Sequence, residues 1–549
     1  MDFIDSVLAD QSKFHQLPPT TDLYKLSTQQ EDACNRFLTS LKKNNTITPE
    51  QYRSLHSAGK AVGIMYGLPK VHKNNLPLRP ILTAFNTTSY KLAKYLVTLL
   101  EPLTTNQYTL PNSYSFCQYL QSLSTSQPLH MASYDITSLF TNIPLNETID
   151  IICNIIFRDS QSYHNFTKET LRKALQLTCT NTPFLFNKQI FRQTDGVAMG
   201  SPLGPTLANI FLCHHESQWL TNCPSQFTPL VYKRYVDDTF TAFSDPSHYN
   251  LFLNYLNSKH PNIKFTLEPA SNQTIPFLDC LVTHTNSFKT QVYRKPTFTG
   301  LAINFNSFIY SKFKINSIRT LIHRAYHVSS TFSLFNKEIS FLRDLYKNNG
   351  YPAHLLDKYV KLFLNNIFSP KTPIPTVPKR KFYISLPFYG SISETAYLHL
   401  FRTLSSHFTH LNFQPVPKTS TTIGSFFRSK DRVPDELQAD VIYQYTCGGC
   451  KSAYVGSTHR RSLERFSEHL GISHRTKKPL NSPPFSHIRN HGYNNNHPIS
   501  LRSFKIIDSA SPSNLAISES LHILKINPSI NVQTTAAPLH IANSSGLLH

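Results

Sequence analysis

Val231-Tyr-Lys-Arg-Tyr-Val-Asp-Asp-Thr-Phe-Thr-Ala-Phe243 is the stretch whose reading decides the fold. Apolar and β-branched residues flank the adjacent acids Asp237 and Asp238, a pattern of two short strands joined by a tight turn with the acids at its tip. Two carboxylates on one turn repel each other, so the arrangement is costly unless a cation sits between them. Taken alone, the pair reads as a solvated Asp-Asp turn. A third acid, Asp135, closes another strand-like run, Leu129-His-Met-Ala-Ser-Tyr-Asp135, and shifts that reading. Three carboxylates on neighbouring strands can hold two Mg²⁺ (or Mn²⁺) ions roughly 4 Å apart, a geometry that clamps both oxygens of an in-line phosphoryl transfer.

The chain has 549 residues, too many for one ordinary core, so about two to four domains are expected. Lys and Arg number 54 against 32 Asp and Glu, a formal charge of +22. In a chain that is 40% hydrophobic, this surplus points to a polyanionic partner rather than to disorder. The 27 Tyr and 38 Phe supply flat rings for packing or for stacking on bases. No apolar run approaches ~18 residues, so no membrane partner is expected. The first 16 residues are acidic and lack the order of a signal peptide. Nine scattered cysteines, with a single CxxC at Cys447 and Cys450, suit a reducing compartment. Lys379-Arg-Lys381 fits either a nuclear signal or plain solvated surface.

Residues 1–60 are polar, with helical patterns at 28–44 and 48–56. Gly63-Ile-Met-Tyr-Gly-Leu-Pro-Lys-Val-His-Lys73 and Pro77-Leu-Arg-Pro-Ile81 then read as paired strands, with Gly67 and Pro69 marking the turn between them. Lys70, Lys73 and Arg79 make this an ordinary basic loop or, in a polymerase, the cations that hold an incoming triphosphate. Residues 89–100 have the spacing of a core helix. Phe140 lies five positions after Asp135, where a ring against the sugar would leave no room for a 2′-hydroxyl; it would serve equally as core. In 193–212, Gly196, Gly200 and Gly204 let the backbone approach a ligand, with Ser201 beside them. Pro202 and Pro205 suit the first turn of a helix reaching about Leu220, with Leu207, Ile210, Phe211 and His214 on one side.

Residues 263–268 and 275–282 read as further strands; they resemble later elements of a polymerase palm, a likeness that would bring Lys264 toward a leaving phosphate. The basic stretch 297–368 is mainly helical (311–328, 334–348, 352–368). Its Lys312, Lys314, Arg319 and Arg324 suit a thumb gripping a duplex through its phosphates; a plain helical domain with a charged face reads the same way. Pro370–Pro378 is a stiff linker into a connector with a strand at 382–387 and a helix at 395–408.

From Val441 the chemistry changes. Val441-Ile-Tyr443 and Ala453-Tyr-Val-Gly456 read as two strands flanking a loop with Cys447-Gly-Gly-Cys450. The next helix, 460–470, sets Arg465 and His469 four apart on one face, and a helix over 513–525 carries Glu519. Tyr443, Tyr454, Arg465, His469 and Glu519 make a candidate one-metal phosphodiesterase site. Glu519 would hold Mg²⁺, Arg465 would neutralise charge on the phosphorane, and a tyrosine would position or deprotonate water. The CxxC adds a structural Zn²⁺ candidate, with His487 and His491 completing the set and His474 or His497 competing for the fourth position.

The Tyr235-Val-Asp-Asp238 box resembles motif C of reverse transcriptases. The 193–212 stretch between the acids resembles their motif B, and the acids are 237 − 135 = 102 residues apart. The Tyr443/Tyr454 spacing is similar to the GIY-YIG nuclease family. Val441 stands in place of its Gly and Val455 in place of its Ile, while Ile442, both tyrosines and Gly456 are kept. Over about residues 61–535 this combination, with Tyr66-Gly-Leu-Pro-Lys-Val-His-Lys73, resembles Penelope-like retroelement proteins.

The resemblance implies an α+β multidomain chain: a right-hand polymerase with fingers, palm and helical thumb, plus a small α/β GIY-YIG domain. The expected division is 1–60, 61–296 (fingers and palm), 297–369 (thumb), 370–440 (connector), 441–535 (nuclease) and 536–549 (tail). Asp135, Asp237 and Asp238 are the expected polymerase metal ligands. Lys70, Arg79, Phe140, Gly200, Ser201, Pro202 and Asn531 are the expected substrate-binding residues. Expected partners are an RNA template, target and primer DNA and deoxynucleoside triphosphates in the nucleus, with a homo-oligomer left open. Two other readings stand beside it. One is a nucleic-acid-binding protein that kept the fold but lost activity; the other is a group II intron-type maturase, which would need a different nuclease module.

Overall fold

The computed structural model describes residues 8–69, 78–85, 87–124, 127–369, 379–419, 431–490 and 500–532. The chain folds into two compact units that alternate along the sequence. The first gathers Met1–Thr104, Phe140–Phe211 and Ser429–His549; the second holds Thr105–Leu139 and Leu212–Arg428.

In the first unit a five-stranded sheet runs in the order β1 (Phe14–Gln16), β6 (Gln189–Gln193), β5 (Thr182–Phe186), β2 (Gly63–Pro69), β3 (Leu78–Thr83). Gly67 and Pro69 do not make the turn expected of them. Both lie inside β2, paired with Pro80 and Leu78 of β3, and the connection falls at 70–77, outside the described residues. Pro tolerates this place because it sits at the end of its strand, where a missing N–H costs little. The helix Leu203–Thr221 is buried on more than the one expected side. Leu203, Gly204, Thr206, Leu207, Ala208, Ile210 and Phe211 are all covered, so this is a central helix rather than a surface one.

The N-terminal segment is not a separate polar appendage. β1 is an edge strand of the five-stranded sheet. The helix Leu23–Lys43 begins five residues before its expected start because Asp22 caps it, its side chain accepting from the Lys25 N–H. That helix supports a second, three-stranded antiparallel sheet, β16 (Ala453–Thr458), β15 (Val441–Thr446), β17 (Phe504–Ser509), through the helix Ser462–His469. Arg461, just ahead of that helix, is fully buried; its guanidinium donates to Glu31 Oε2 at 2.9 Å and to the Lys60 carbonyl at 2.5 Å. Tyr24 donates to Glu464 at 3.2 Å, and Arg475 pairs with Asp32. Gly59 (φ +66) lets the backbone pass His459, where a Cβ would meet the carbonyl oxygen at 2.7 Å.

The second unit is built on a four-stranded antiparallel sheet, β7 (Val231–Tyr235), β8 (Asp238–Phe243), β4 (His130–Ile136), β9 (Phe265–Pro269). β8 is buried on both faces from Thr239 onward, as its run of Thr, Phe and Ala suits. Phe116, Met131, Phe240, Ile275, Phe277, Val282 and Phe288 fill the core on one side. The apolar run 275–282 is two strands rather than one. β10 (Thr274–Phe277) and β11 (Cys280–His284) reverse at Leu278, which has φ +56, so that Ile275 faces Val282. β12 (Phe288–Val292) completes that three-stranded sheet.

The helices Ser311–Val328, Phe332–Asn348 and Ala353–Phe368 then enclose Ile318, Ile322, Phe335, Ile339, Leu342 and Tyr346. The connector is a βαβ crossover: β13 (Arg380–Pro387), the helix Ser391–His407 and β14 (Leu411–Lys418), the strands parallel. The 370–378 linker lies outside the described residues. Among the described residues no helix is long and apolar enough to cross a membrane.

Candidate active site

β7 and β8 form a hairpin closed by two residues, Val236 and Asp237, with Tyr235 paired to Asp238. Asp238 also lies directly opposite Asp135 across the β4–β8 ladder. The three expected carboxylates therefore meet at one end of one sheet. The Asp237 carbonyl accepts from the Ile136 N–H at 3.2 Å, which ties the turn to the residue after Asp135. Burial, then Asp237, then Asp135 push the Asp238 carboxyl up to about 6, and Lys295 opposes them. This repulsion is what divalent cations relieve, and an all-carboxylate donor set suits hard cations of the Mg²⁺ or Mn²⁺ kind. Lys295, a single cation in a loop, was invisible to motif reading. Lys264, expected to serve, instead donates its ammonium to the Asn257 carbonyl at 2.9 Å.

The other expected polymerase residues are in the first unit. Arg79 is exposed on β3 opposite Leu68; Lys70 lies outside the described residues. Phe140 is half-buried, its carbonyl accepting from Val197 N–H at 2.7 Å, and its ring would lie 3.7 Å from a Cβ at Gly204. At two of the three glycines expected to let the backbone approach a ligand, the close approach seen is to protein. At Gly200 (φ +113) a Cβ would sit 2.2 Å from the Leu82 carbonyl oxygen of β3, and at Gly196 (φ +71) 2.6 Å from that of Thr141. Ser201 donates its N–H to the Ala198 carbonyl at 3.0 Å, and Pro202 leads into the helix.

The basic side chains expected to grip phosphates along the 311–328 helix are engaged within the protein. Lys314 donates to the Phe305 carbonyl at 2.6 Å, Arg324 pairs with Asp279 at 2.8 Å, and Lys312 reaches Gln414 at 3.3 Å. Arg319 lies over the Tyr359 ring at 5.0 Å.

In the C-terminal module the structure brings together Tyr443, Arg465 and His469, with Tyr454 and Glu519 close by. Tyr443 is fully buried; it accepts from Arg465 Nε at 3.2 Å and lies 2.7 Å from His469 Nε2. With His469 in its Nδ1–H tautomer, arginine gives to the phenol, the phenol gives to Nε2, and Nδ1–H gives to Ser482 Oγ at 2.9 Å. Burial, then the Arg465 charge, hold His469 down to about 3, so it is the neutral acceptor this chain needs. Gly456 is required here, because a Cβ would stand 2.7 Å from Tyr443 Oη and 2.8 Å from the Tyr454 ring. Glu519 accepts from Ser457 Oγ at 2.6 Å. Asn531, expected to bind substrate, instead commits both Oδ1 and Nδ2 to the Val455 backbone at 2.8 Å, pinning β16.

Cys447, Cys450 and His487 hold their ligand atoms within 4.8 Å of one another, with Cys450 Sγ 3.3 Å from His487 Nε2. Burial raises the Cys447 thiol, but the N–H groups of Cys450 and Gly449 outweigh it and leave it lowered, in the direction of a thiolate ligand. His491 and His497 lie outside the described residues. His474 stacks edge-on against Tyr24 at 4.5 Å.

Residues 71–276 match the family model for reverse transcriptase (RNA-dependent DNA polymerase). The chain carries a reverse-transcriptase domain. Residues 301–361, C-terminal to that domain, match the model for an animal helix-turn-helix domain. Among solved structures, apo telomerase from Candida tropicalis, truncated from its C-terminal domain, matches at 11% identity and a TM-score of 0.37, over 53% of this chain and 59% of that one. The chain thus spans under two thirds of that protein's length. Telomerase from Candida albicans in complex with a fragment of telomeric RNA matches at 11% identity and a TM-score of 0.40, over 67% and 70%. The Sicinivirus 3Dpol RNA-dependent RNA polymerase matches at 15% identity and a TM-score of 0.38, over 58% and 71%. No curated protein sequence matches the chain.

Proposed function

We propose that the protein is the RNA-directed DNA polymerase of a Penelope-like retroelement, joined to a GIY-YIG endonuclease that nicks target DNA. The polymerase then extends the nicked 3′ end on an RNA template in the nucleus. The observation that carries this reading is the trio Asp135, Asp237 and Asp238 at one end of one sheet, inside the reverse-transcriptase domain. Bound divalent cations would supply Lewis-acid stabilisation of the transferring phosphoryl group. Three carboxylates would hold them: Asp135 and Asp238 from facing strands, Asp237 from the turn. Phe140 would discriminate against ribose, and the charge of +22 would draw both template and target to the protein.

For nicking, Glu519 would hold one Mg²⁺ and Arg465 would face the developing phosphorane charge. Burial raises both phenols, so the tyrosines orient water rather than take its proton; half-exposed Tyr454 reaches solvent and Tyr443 backs it. Zn²⁺ on Cys447, Cys450 and His487 would brace the strand connection.

The test runs two reactions on single preparations of full-length protein: primer extension on RNA with deoxynucleotides, and nicking of supercoiled DNA. Asp237→Asn should lose extension by a factor of about 100 or more and keep nicking. Glu519→Ala should do the reverse. Extension surviving in folded Asp237→Asn rejects the polymerase site, and nicking surviving in Glu519→Ala rejects the nuclease metal.

A further inference from the structure

The hairpin that carries Asp237 contains a conformational problem. Val236 has φ +55, the left-handed region, at the first of two turn positions. A two-residue turn of that kind favours Gly there; a β-branched residue meets its own backbone. Something must hold the turn, and the second unit contains a buried assembly that does so. Arg234 is 1% exposed on β7 and Glu216 2% exposed on the helix Leu203–Thr221. Arg234 Nε donates to Glu216 Oε1 at 2.8 Å, and the same guanidinium extends Nη1 to the Val236 carbonyl at 3.1 Å. Tyr232 donates to Glu216 Oε1 at 2.8 Å and Asn106 to Oε2 at 3.1 Å. The Arg234 backbone is fixed as well, its N–H on the Tyr108 carbonyl at 2.8 Å and its own carbonyl on the Leu110 N–H at 2.7 Å.

We infer that Arg234, locked by Glu216, is a positioning residue for polymerisation: it holds the carbonyl of strained Val236 so that Asp237 stands beside Asp238 and Asp135. The argument is one of geometry. The turn has two carbonyls; Ile136 N–H on β4 takes that of Asp237, and Arg234 takes that of Val236. The two anchors come from opposite sides of the hairpin strand β8, so both ends of the Val236–Asp237 peptide pair are fixed. A buried ion pair is a costly way to stabilise a core, because apolar residues of similar volume do as well or better. Its presence here is explained by the contact that an apolar side chain cannot make, the hydrogen bond to Val236. The inference rests on reading the three acids as metal ligands.

The test uses full-length protein in primer extension on RNA, with Mg²⁺ titrated. Glu216→Gln with Arg234→Met removes both charges together, leaving no lone buried ion, and keeps an acceptor for Tyr232. Expected are a fall in kcat on the order of tenfold to a hundredfold and a raised Mg²⁺ requirement, with KM for primer–template unchanged. Adding Val236→Gly, which takes the turn conformation without strain, should recover most of the loss. A core role alone would give no such recovery. Arg234→Lys with Glu216 retained keeps the charge pair but lacks the fork; it should show the same recoverable defect and serves if the first variant does not fold. The inference is overturned if folded Glu216→Gln/Arg234→Met extends within about twofold of the parent, or if Val236→Gly restores nothing in either background. Asp237→Asn runs alongside: if it still extends, the metal reading fails and takes this inference with it, whereas an inactive Asp237→Asn with an unaffected pair overturns this inference alone.

Discussion

At the scale of single residues, the three acids meet at the hairpin tip, where burial, Asp237 and Asp135 raise the Asp238 carboxyl to about 6. Asp135, Asp237 and Asp238 were legible because acids at strand ends are expensive and stand out in an apolar run. Glu216 and Arg234 were not: one lies mid-helix and the other mid-strand, and only folding brings them within 2.8 Å. Lys264 and Asn531 misled for the matching reason, since sequence gives a polar side chain but not the backbone carbonyl or amide that consumes it. His469 supports a prediction. Its folded value of about 3 lies below its ordinary 6.5, so the folded state resists a proton that the unfolded chain accepts. Stability from this group is full above about 6.5 and is lost as pH falls through that value toward about 3. The unfolding midpoint in urea should therefore drop between neutral pH and about pH 5, and His469→Gln should flatten that drop. An unchanged pH dependence in the variant would reject the buried neutral imidazole.

At the scale of elements, boundaries set by caps and by hydrophobic period were readable. The helices at 311–328 and 332–348 fall close to their expected spans because their apolar residues recur every three to four positions. The reversal between β10 and β11 was not readable. Leu278 turns the chain at φ +56 with nothing in its type to announce it, so two strands passed for one. Gly200 was noticed for the right property and given the wrong neighbour. Its contact with the β3 backbone predicts that Gly200→Ala destabilises the protein by roughly 1–3 kcal/mol or more, seen as a lower denaturant midpoint in the full chain. No change would mean that the loop can move off β3. The loop between β15 and β16 makes a second case. Three candidate ligands, Cys447, Cys450 and His487, converge there, so if they bind Zn²⁺ full-length protein prepared without chelator should hold it in stoichiometric amount, and Cys450→Ser should release it. Elemental analysis decides; metal-free wild-type protein would leave the cysteines as free thiols.

At the scale of the whole molecule, the chain gathers into two units stitched from distant segments. Linear reading could not find this, because composition marks where a linker is and says nothing of which far segment returns to pack. Residues 8–60 contribute a strand to one sheet and a buried carboxylate to the neighbour of the other. Removing Glu31 leaves buried Arg461 with Glu464 at 3.4 Å as its remaining carboxylate and one donor unmet, at a cost of roughly 1–3 kcal/mol. Glu31→Ala should lower the stability of the C-terminal module, and a 435–549 fragment should fold worse than one co-expressed with residues 8–60. Equal stability of the two would reject the pairing. The Glu31–Arg461 bond also spans 430 residues. At ordinary synthesis rates the ribosome reaches Arg461 on the order of 20–90 s after Glu31. The C-terminal module therefore matures last, after the reverse-transcriptase domain has emerged. A chain released early by the ribosome would be left with Glu31 unanswered, so that the order of synthesis makes every truncated product less stable at its N-terminal helix than the finished chain.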